Sequence, residues 1–179
     1  MKKYFDELTA AMNWLSEKDN TVFIGQAVEY PGTAMFNSLK SVNPAKRIEL
    51  PVFEDTQMGM SLGLALNGLK VISIYPRWNF LLCATNQLVN HVDKFPLIEP
   101  SSKTNNIIIR TAVGSERPLH PGYQHIGNYS EAFKLILDTV DVIEVKEVEE
   151  IMPAYKKAYS RNDGISTLIV EYMDFYNEK

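Results

Sequence analysis

The side chain best placed for acid–base chemistry in this sequence is Glu54, which follows a short predicted strand at residues 47–50. Pro51 ends that strand because proline has no N–H group to donate to a sheet. Ligands of open α/β sheets bind just beyond the carboxyl ends of the strands. The position therefore favours a catalytic or ligand-binding carboxylate. The alternative is a glutamate that only stabilises the start of the next helix through its negative charge.

Two further candidates, His120 and His125, lie in a long predicted loop at residues 114–128. Long loops without regular structure in a compact domain are often functional. The alternative for each is an exposed loop histidine with no role. The three histidines show no spacing typical of a metal site, and the single cysteine, Cys83, excludes both an internal disulfide and a thiolate cluster.

The helix that must position Glu54 is predicted at residues 56–67, with Asp55 and Thr56 available as caps. It contains Gly59 and Gly63, about one turn apart on one face. Glycine weakens a helix, so a helix that keeps two of them usually has something close against its backbone. Either another part of this chain packs tightly there, or a second chain does.

Predicted strands and helices alternate along the sequence, and several strands are nearly continuous apolar runs. This pattern is typical of a parallel sheet covered on both faces, so we predict a single doubly wound α/β domain over residues 1–179. The predicted strands are residues 21–25, 47–50, 69–75, 107–113, 140–146 and 166–172. The predicted helices are residues 3–18, 33–42, 56–67, 81–95, 130–137 and 152–160, and residues 98–106 form a turn-rich segment.

Composition and missing motifs exclude several classes of function. The net charge of -4 without a basic stripe argues against nucleic-acid binding. No apolar stretch is long enough to span a membrane and the N-terminus is not a secretory signal, so we expect a cytoplasmic protein. There is no GxGxxG after the first strand, no GxxxxGKS/T and no GxSxG, which disfavours dinucleotide binding, nucleoside triphosphate binding and a hydrolase elbow.

The Glu54-x4-Gly59-x3-Gly63 pattern resembles the pyrimidine-binding domain of thiamine diphosphate enzymes. Residues 47–95 resemble, without a gap, the central block of the beta subunits of 2-oxo acid dehydrogenase E1 components, which are related to transketolase. The segments FIGQAV, YPGTAMFNSL, IIIRTAVG, GYQH and VEYMDFYN resemble further parts of that family in the same order. The resemblance therefore covers nearly the whole chain.

The resemblance implies specific roles for four residues. Glu54 would be the catalytic carboxylate that bonds to N1′ of the aminopyrimidine and thereby lets the cofactor remove its own C2 proton. Phe80 would pack against the aminopyrimidine, and Gly59 would belong to the same cofactor-binding site. His125 matches the active-site histidine of the family, with His120 as a nearby competitor. For Phe80 the alternative is an ordinary core residue.

The resemblance also implies a partner, because the Gly-Asp-Gly…Asn motif that holds Mg²⁺ and diphosphate is absent from this sequence. No metal ligand is expected here. A second, diphosphate-binding chain would hold the Mg²⁺. The expected assembly is a homodimer or a heterotetramer that includes this partner chain. The expected function is the pyrimidine-binding subunit of a split enzyme that cleaves or forms a C–C bond of a 2-oxo acid or ketose. Alternatives are a subunit of a two-subunit 2-oxo acid decarboxylase and a non-catalytic interaction module.

Some positions differ from the family and leave the substrate open. Gln26 and Ala27 stand where carboxylates often follow the first strand, and Arg77 and Trp78 replace an aromatic and a small residue. The sequence leaves two possibilities for Arg77: it binds an anionic group of a substrate, or it lies on the surface.

Overall fold

One parallel sheet organises the part of the chain that this computed structural model describes, residues 3–100, 106–117 and 120–177. Its six described strands lie in the order β2-β1-β3-β4-β6-β5, and every neighbouring pair is parallel. The predicted α/β class is thus confirmed. The strands are β1, Thr21–Gly25; β2, Arg47–Glu49; β3, Lys70–Ile74; β4, Ile107–Val113; β5, Asp141–Glu144; and β6, Thr167–Tyr172.

Helices cover both faces of this sheet, as predicted for a doubly wound fold. They are α1, Tyr4–Ser16; α2, Ala34–Asn37; α3, Glu54–Leu66; α4, Trp78–Leu82; α5, Thr85–Gln87; α6, Phe95–Ile98; α7, Ser130–Ile136; and α8, Val148–Ser160. Residues 101–105 of the predicted turn-rich segment and residues 118–119 of the predicted loop lie outside the described residues.

Two apolar cores hold the layers together. The core on one face joins α1 and α8 to the sheet through residues such as Leu8 and Tyr155. The core on the other face joins α3, α4 and α7 through residues such as Met58, Trp78 and Phe133. Every residue of β1 and β3 is buried, which explains why these strands read as continuous apolar runs rather than alternating ones.

The two ends of the described chain meet on the first of these faces. The Tyr4 hydroxyl donates to the Val145 carbonyl at 2.6 Å and accepts from the Tyr172 N–H at 3.1 Å. The rings of Phe5 and Tyr176 are 5.3 Å apart between centroids, where Tyr176 belongs to a 3₁₀ turn, Met173–Asn177. Helix α1 is therefore fixed by the last described element of the chain.

The predicted helix at residues 81–95 is wrong as one continuous element. The structure breaks it into α4, α5 and a π-helical segment, Leu88–Val92. At the break, the N–H groups of Cys83 and Ala84 donate to the carbonyls three residues earlier, those of Phe80 and Leu81. The hydroxyl of Thr85 donates to a further main-chain carbonyl. Such local bonds compete with the α-helical ladder.

Two helix starts also differ from the predicted ones. Helix α3 begins at Glu54 itself, its N-cap Phe53 makes no side-chain cap bond, and neither predicted cap is used. Helix α8 begins four residues earlier than predicted, because Glu147 and Glu150 form a reciprocal capping box. Pro153 consequently lies inside α8 rather than in its first turn.

The strand order creates a cleft at the carboxyl edge of the sheet. From β1 the chain moves outward to β2 and then returns across β1 to β3. Ligands of open α/β sheets bind at such a switch point. Gly25 ends β1 with a φ of +151°, and a Cβ there would lie 2.2 Å from the carbonyl oxygen of Ile74. Only glycine lets the ends of β1 and β3 approach this closely.

Candidate active site

Glu54 is a largely buried residue at this edge, and its carboxylate accepts no hydrogen bond from the described residues. It is the first residue of α3 and only 7% exposed. Its backbone carbonyl accepts a bond from the Tyr75 hydroxyl at 3.2 Å. The two preceding side chains, Val52 and Phe53, are largely exposed. A carboxylate without a protein partner just beyond the end of a strand is a candidate functional group, because ligands of open α/β sheets bind there.

The structure brings Phe80 and His125 together, as expected if both belong to one site. Their ring centroids are 6.3 Å apart and the ring planes differ by 25°. The Nδ1 atom of His125 lies 3.0 Å from Oδ1 of Asn79. With this oxygen as acceptor, Nδ1 carries the proton and Nε2 is the nitrogen free to accept one. Asn79 was not singled out from the sequence, since nothing marks an asparagine as the partner of a histidine 46 residues away.

His120, the competing candidate, lies elsewhere in the same loop. Its Nδ1 accepts the N–H of Gly122 at 3.1 Å, and its ring meets Tyr123 edge-on at 5.4 Å. His120 is exposed, whereas His125 is half-buried. The contacts with Phe80 and Asn79 therefore distinguish His125 from His120.

A cavity of about 740 Å³, here called the carboxyl-edge cavity, opens beside Phe80. Val52 and Phe80 line it, whereas Glu54 and His125 do not. The other lining residues come mainly from the segments that follow β1 and β3, so the cavity lies at the switch point of the sheet. Its volume is within the range of small-molecule pockets.

Glu49, the last residue of β2, fixes the wall of this cavity formed by the segment after β1. Its carboxylate accepts the backbone N–H groups of Ala27, Val28 and Glu29 at 2.9, 2.7 and 2.9 Å. This arrangement holds Ala27 at a φ of +57°, which is uncommon for a residue other than glycine. Sequence reasoning missed Glu49, although a carboxylate at the end of a strand was the available signal.

The glycine face of α3 is open in the described structure. A Cβ on Gly63 would meet no atom within 4 Å, and one on Gly59 would meet only Oε1 of Gln87, at 3.9 Å. Tight packing within the chain therefore does not explain Gly63. Met60 and Leu66 on the same helix are exposed. Gly59 lies in the second turn of α3 and does not line the carboxyl-edge cavity.

The donor set suits an aminopyrimidine ring better than a metal ion. The buried carboxylate of Glu54 can bond a ring nitrogen, and the half-buried ring of Phe80 can pack on an aromatic face. Within residues 3–100, 106–117 and 120–177, no group of three or more acidic, histidine or cysteine side chains could hold a metal ion. The same residues contain no helix long and apolar enough to cross a bilayer.

Comparison with known proteins gives consistent relatives. No family model matches the sequence. The pyruvate dehydrogenase E1 component subunit beta of Porphyra purpurea is 32% identical over 136 residues, covering 74% of this chain and 40% of that protein. The subunit of the same name from Gracilaria tenuistipitata var. liui is 30% identical over 179 residues, covering 98% of this chain and 54% of its own length. The chain thus spans about half the length of these relatives.

A solved structure shares the fold. The protein described as "Split gene transketolase, inactive beta4 tetramer" superposes with a TM-score of 0.68 at 16% identity. The match covers 93% of this chain and 49% of the other.

Proposed function

We propose that this chain, whose sequence and fold are those of the E1 beta and transketolase type of pyrimidine-binding domain, supplies half of a thiamine diphosphate active site. The observation that carries the proposal is Glu54, a largely buried residue at the start of α3 whose carboxylate has no hydrogen-bond partner among the described residues. The contact between the rings of Phe80 and His125 supports it. When bound, thiamine diphosphate supplies a nucleophilic carbon that attacks the carbonyl of a 2-oxo acid or ketose.

Glu54 would hold a proton against N1′ of the aminopyrimidine. Its burial serves this role, because a carboxylate shielded from water interacts more strongly with a ring nitrogen than an exposed one does. The hydroxyl of Tyr75, bonded to the Glu54 carbonyl at 3.2 Å, helps to fix the first turn of α3. Phe80 would provide an apolar surface for the ring, and Gly59 would contribute from α3 as part of the cofactor-binding face.

His125 would move protons on the substrate side. With Nδ1 held by Asn79, Nε2 is available to take a proton from a substrate hydroxyl or to return one. The nearly parallel ring of Phe80 restricts the imidazole to one orientation. Histidine suits this task because its charge changes near neutral pH.

The proposal requires a second chain that binds the diphosphate and holds Mg²⁺. The open glycine face of α3 supports this second chain. The exposed Met60 and Leu66 add apolar area to this face. Close approach of a helix to Gly59 and Gly63 would bury that area in a homodimer or a heterotetramer with the partner.

The test is co-expression with a chain that carries the Gly-Asp-Gly…Asn motif, followed by assays with thiamine diphosphate and Mg²⁺. The substrates are 2-oxo acids with an artificial electron acceptor, 2-oxo acids alone, and ketoses with an aldehyde acceptor. Release of CO₂ without an acceptor would identify the decarboxylase variant of the proposal. Wild-type complex that binds the partner but turns over none of these substrates would support the non-catalytic module instead.

The Glu54→Gln variant tests the role of the carboxylate itself. We expect kcat to fall by about 10²-fold or more, because acid–base groups contribute about 10²–10⁴-fold. Glu17→Gln is the matched control, since Glu17 is an exposed glutamate at the end of α1. If Glu54→Gln and Glu17→Gln both retain wild-type kcat, Glu54 is not the catalytic carboxylate.

A further inference from the structure

Arg77 lies in the wall of the carboxyl-edge cavity. Among the described residues that line this cavity, it is the one charged residue, and none of them is a carboxylate. Within the described residues, Arg77 forms no ion pair, and its Nε donates to the carbonyl of Gly114 at 2.8 Å. That bond fixes the orientation of the guanidinium while leaving its two terminal nitrogens for other acceptors. Arg77 is half-buried, and this burial lowers the pKa of its guanidinium.

Gln26 adds a second unsatisfied donor to the same cavity. It directly follows β1, is 7% exposed and lines the cavity. Its Nε2 atom is buried and has no hydrogen-bond partner among the described residues. A buried donor without an acceptor costs about 1–3 kcal/mol, so a ligand oxygen that reached it would recover this energy.

The remaining lining residues include both polar and apolar side chains. Asn37 and Ser115 are polar, whereas Phe5, Met35 and Met173 are apolar. The cavity therefore suits a small molecule with an anionic end and a short carbon chain. Phe80, which belongs to the proposed cofactor site, borders the same space.

We infer that the carboxyl-edge cavity binds the anionic group of the substrate, with Arg77 pairing with the oxyanion and Gln26 donating to one of its oxygens. That the bound anion is the substrate rests on the proposed function, whereas anion binding itself does not require it. The bound group is a carboxylate or a phosphate, since either can accept two parallel N–H bonds from an arginine side chain. A carboxylate corresponds to a 2-oxo acid and a phosphate to a sugar phosphate.

Calorimetric titration of the full chain tests anion binding without any partner. The probes are pyruvate, its neutral methyl ester, inorganic phosphate, ribose 5-phosphate and ribose. We expect wild type to bind one class of anion and neither neutral compound. Arg77→Met should weaken that anion by roughly tenfold or more, and Arg77→Lys by less, since lysine keeps the charge but lacks the fork. Gln26→Leu should weaken it several-fold.

Arg117→Met is the matched control, because Arg117 is exposed in the loop after β4 and does not line the cavity. It removes the same charge and should leave binding unchanged. Equal anion affinity of wild type and Arg77→Met, or no anion binding by wild type, overturns the inference. If Arg77→Met melts well below wild type, Arg77→Lys and Gln26→Leu carry the comparison.

The active complex provides a second readout that separates this inference from the proposed function. Arg77→Met should raise KM for the anionic substrate by about tenfold while kcat changes less, because the guanidinium holds a group that does not react. Glu54→Gln should instead lower kcat. Loss of anion binding in Arg77→Met without any thiamine diphosphate activity in wild type would uphold the anion site and refute the proposed function.

Discussion

The Glu171→Gln substitution should destabilise the protein more than any surface substitution does, because it removes the charge that compensates Arg110 inside the core. Both side chains are fully buried. The Glu171 carboxylate accepts Nε and Nη2 of Arg110 at 2.6 and 3.0 Å and the hydroxyl of Tyr155 at 2.6 Å. The hydroxyl of Tyr176 also donates to it. Burial, together with the nearby Glu171 charge, raises the pKa of both tyrosines well above the ordinary range, so they remain donors.

The expected loss is about 3–5 kcal/mol, the usual cost of breaking a buried ion pair and leaving one charge alone. For a chain of this size, about 2–4 °C of melting temperature corresponds to 1 kcal/mol, so the melting temperature should fall by roughly 6–20 °C. Thermal and urea unfolding followed by circular dichroism measure both quantities. Glu17→Gln should leave them unchanged, because Glu17 is exposed.

A double-mutant cycle distinguishes the interaction energy of the Arg110–Glu171 pair from a simple loss of packing. Arg110→Met and Glu171→Gln each leave a buried group without its partner, whereas the double variant leaves no lone charge. The double variant should therefore lose at least about 1 kcal/mol less than the sum of the two single variants. Additive losses, or a Glu171→Gln variant that melts within about 2 °C of wild type, would refute the reasoning.

Three further perturbations follow from contacts described by the structure. Burial by itself raises the pKa of Asp93, but bonds from Lys94 and three backbone N–H groups bring it to about 2. The stability it contributes is thus present above about pH 4 and is lost as the pH falls toward 2, a slope that Asp93→Asn should flatten in acid unfolding curves. Gly25→Ala should cost about 2 kcal/mol or more in urea unfolding, since its Cβ would meet the Ile74 carbonyl at 2.2 Å. Gly63→Ala should stabilise the isolated chain by about 0.5–1 kcal/mol while weakening assembly with the partner, as measured by sedimentation.

Each of these has an outcome that would contradict it. Identical acid unfolding of wild type and Asp93→Asn would mean that Asp93 does not govern the acid range. A Gly25→Ala variant as stable as wild type would mean that β1 and β3 separate at little cost. A Gly63→Ala variant that assembles as tightly as wild type would exclude the glycine face of α3 as the partner surface.

The strands could be predicted because buried strands appear in the sequence as apolar runs. The structure gives β1 and β4 the bounds that the sequence predicted, since both are nearly uniformly apolar and fully covered by helices. Arg110 is the exception inside β4. Its carboxylate partner lies 61 residues further along the chain, so only the fold explains a charge in that strand.

The candidate site was predictable in part. The end of the predicted strand at residues 47–50 marked Glu54, and the family resemblance assigned Phe80 and His125 to one site. The structure brings the rings of Phe80 and His125 together. The carboxylate at the end of β2 could have marked Glu49 as a candidate, but the N–H groups that it binds could not be predicted, because they belong to a segment about 20 residues earlier. The place of Arg77 in a cavity wall likewise depends on contacts between distant segments, here its bond to Gly114.

The contact between α1 and the last turn sets the order in which the molecule can be completed during synthesis. Phe5 and Tyr176 both line the carboxyl-edge cavity, yet they are translated at opposite ends of the described chain. The first helix must therefore wait for Met173–Asn177 to leave the ribosome before this wall can close. Until then, a chaperone or partner that arrives earlier meets an open edge beside α1.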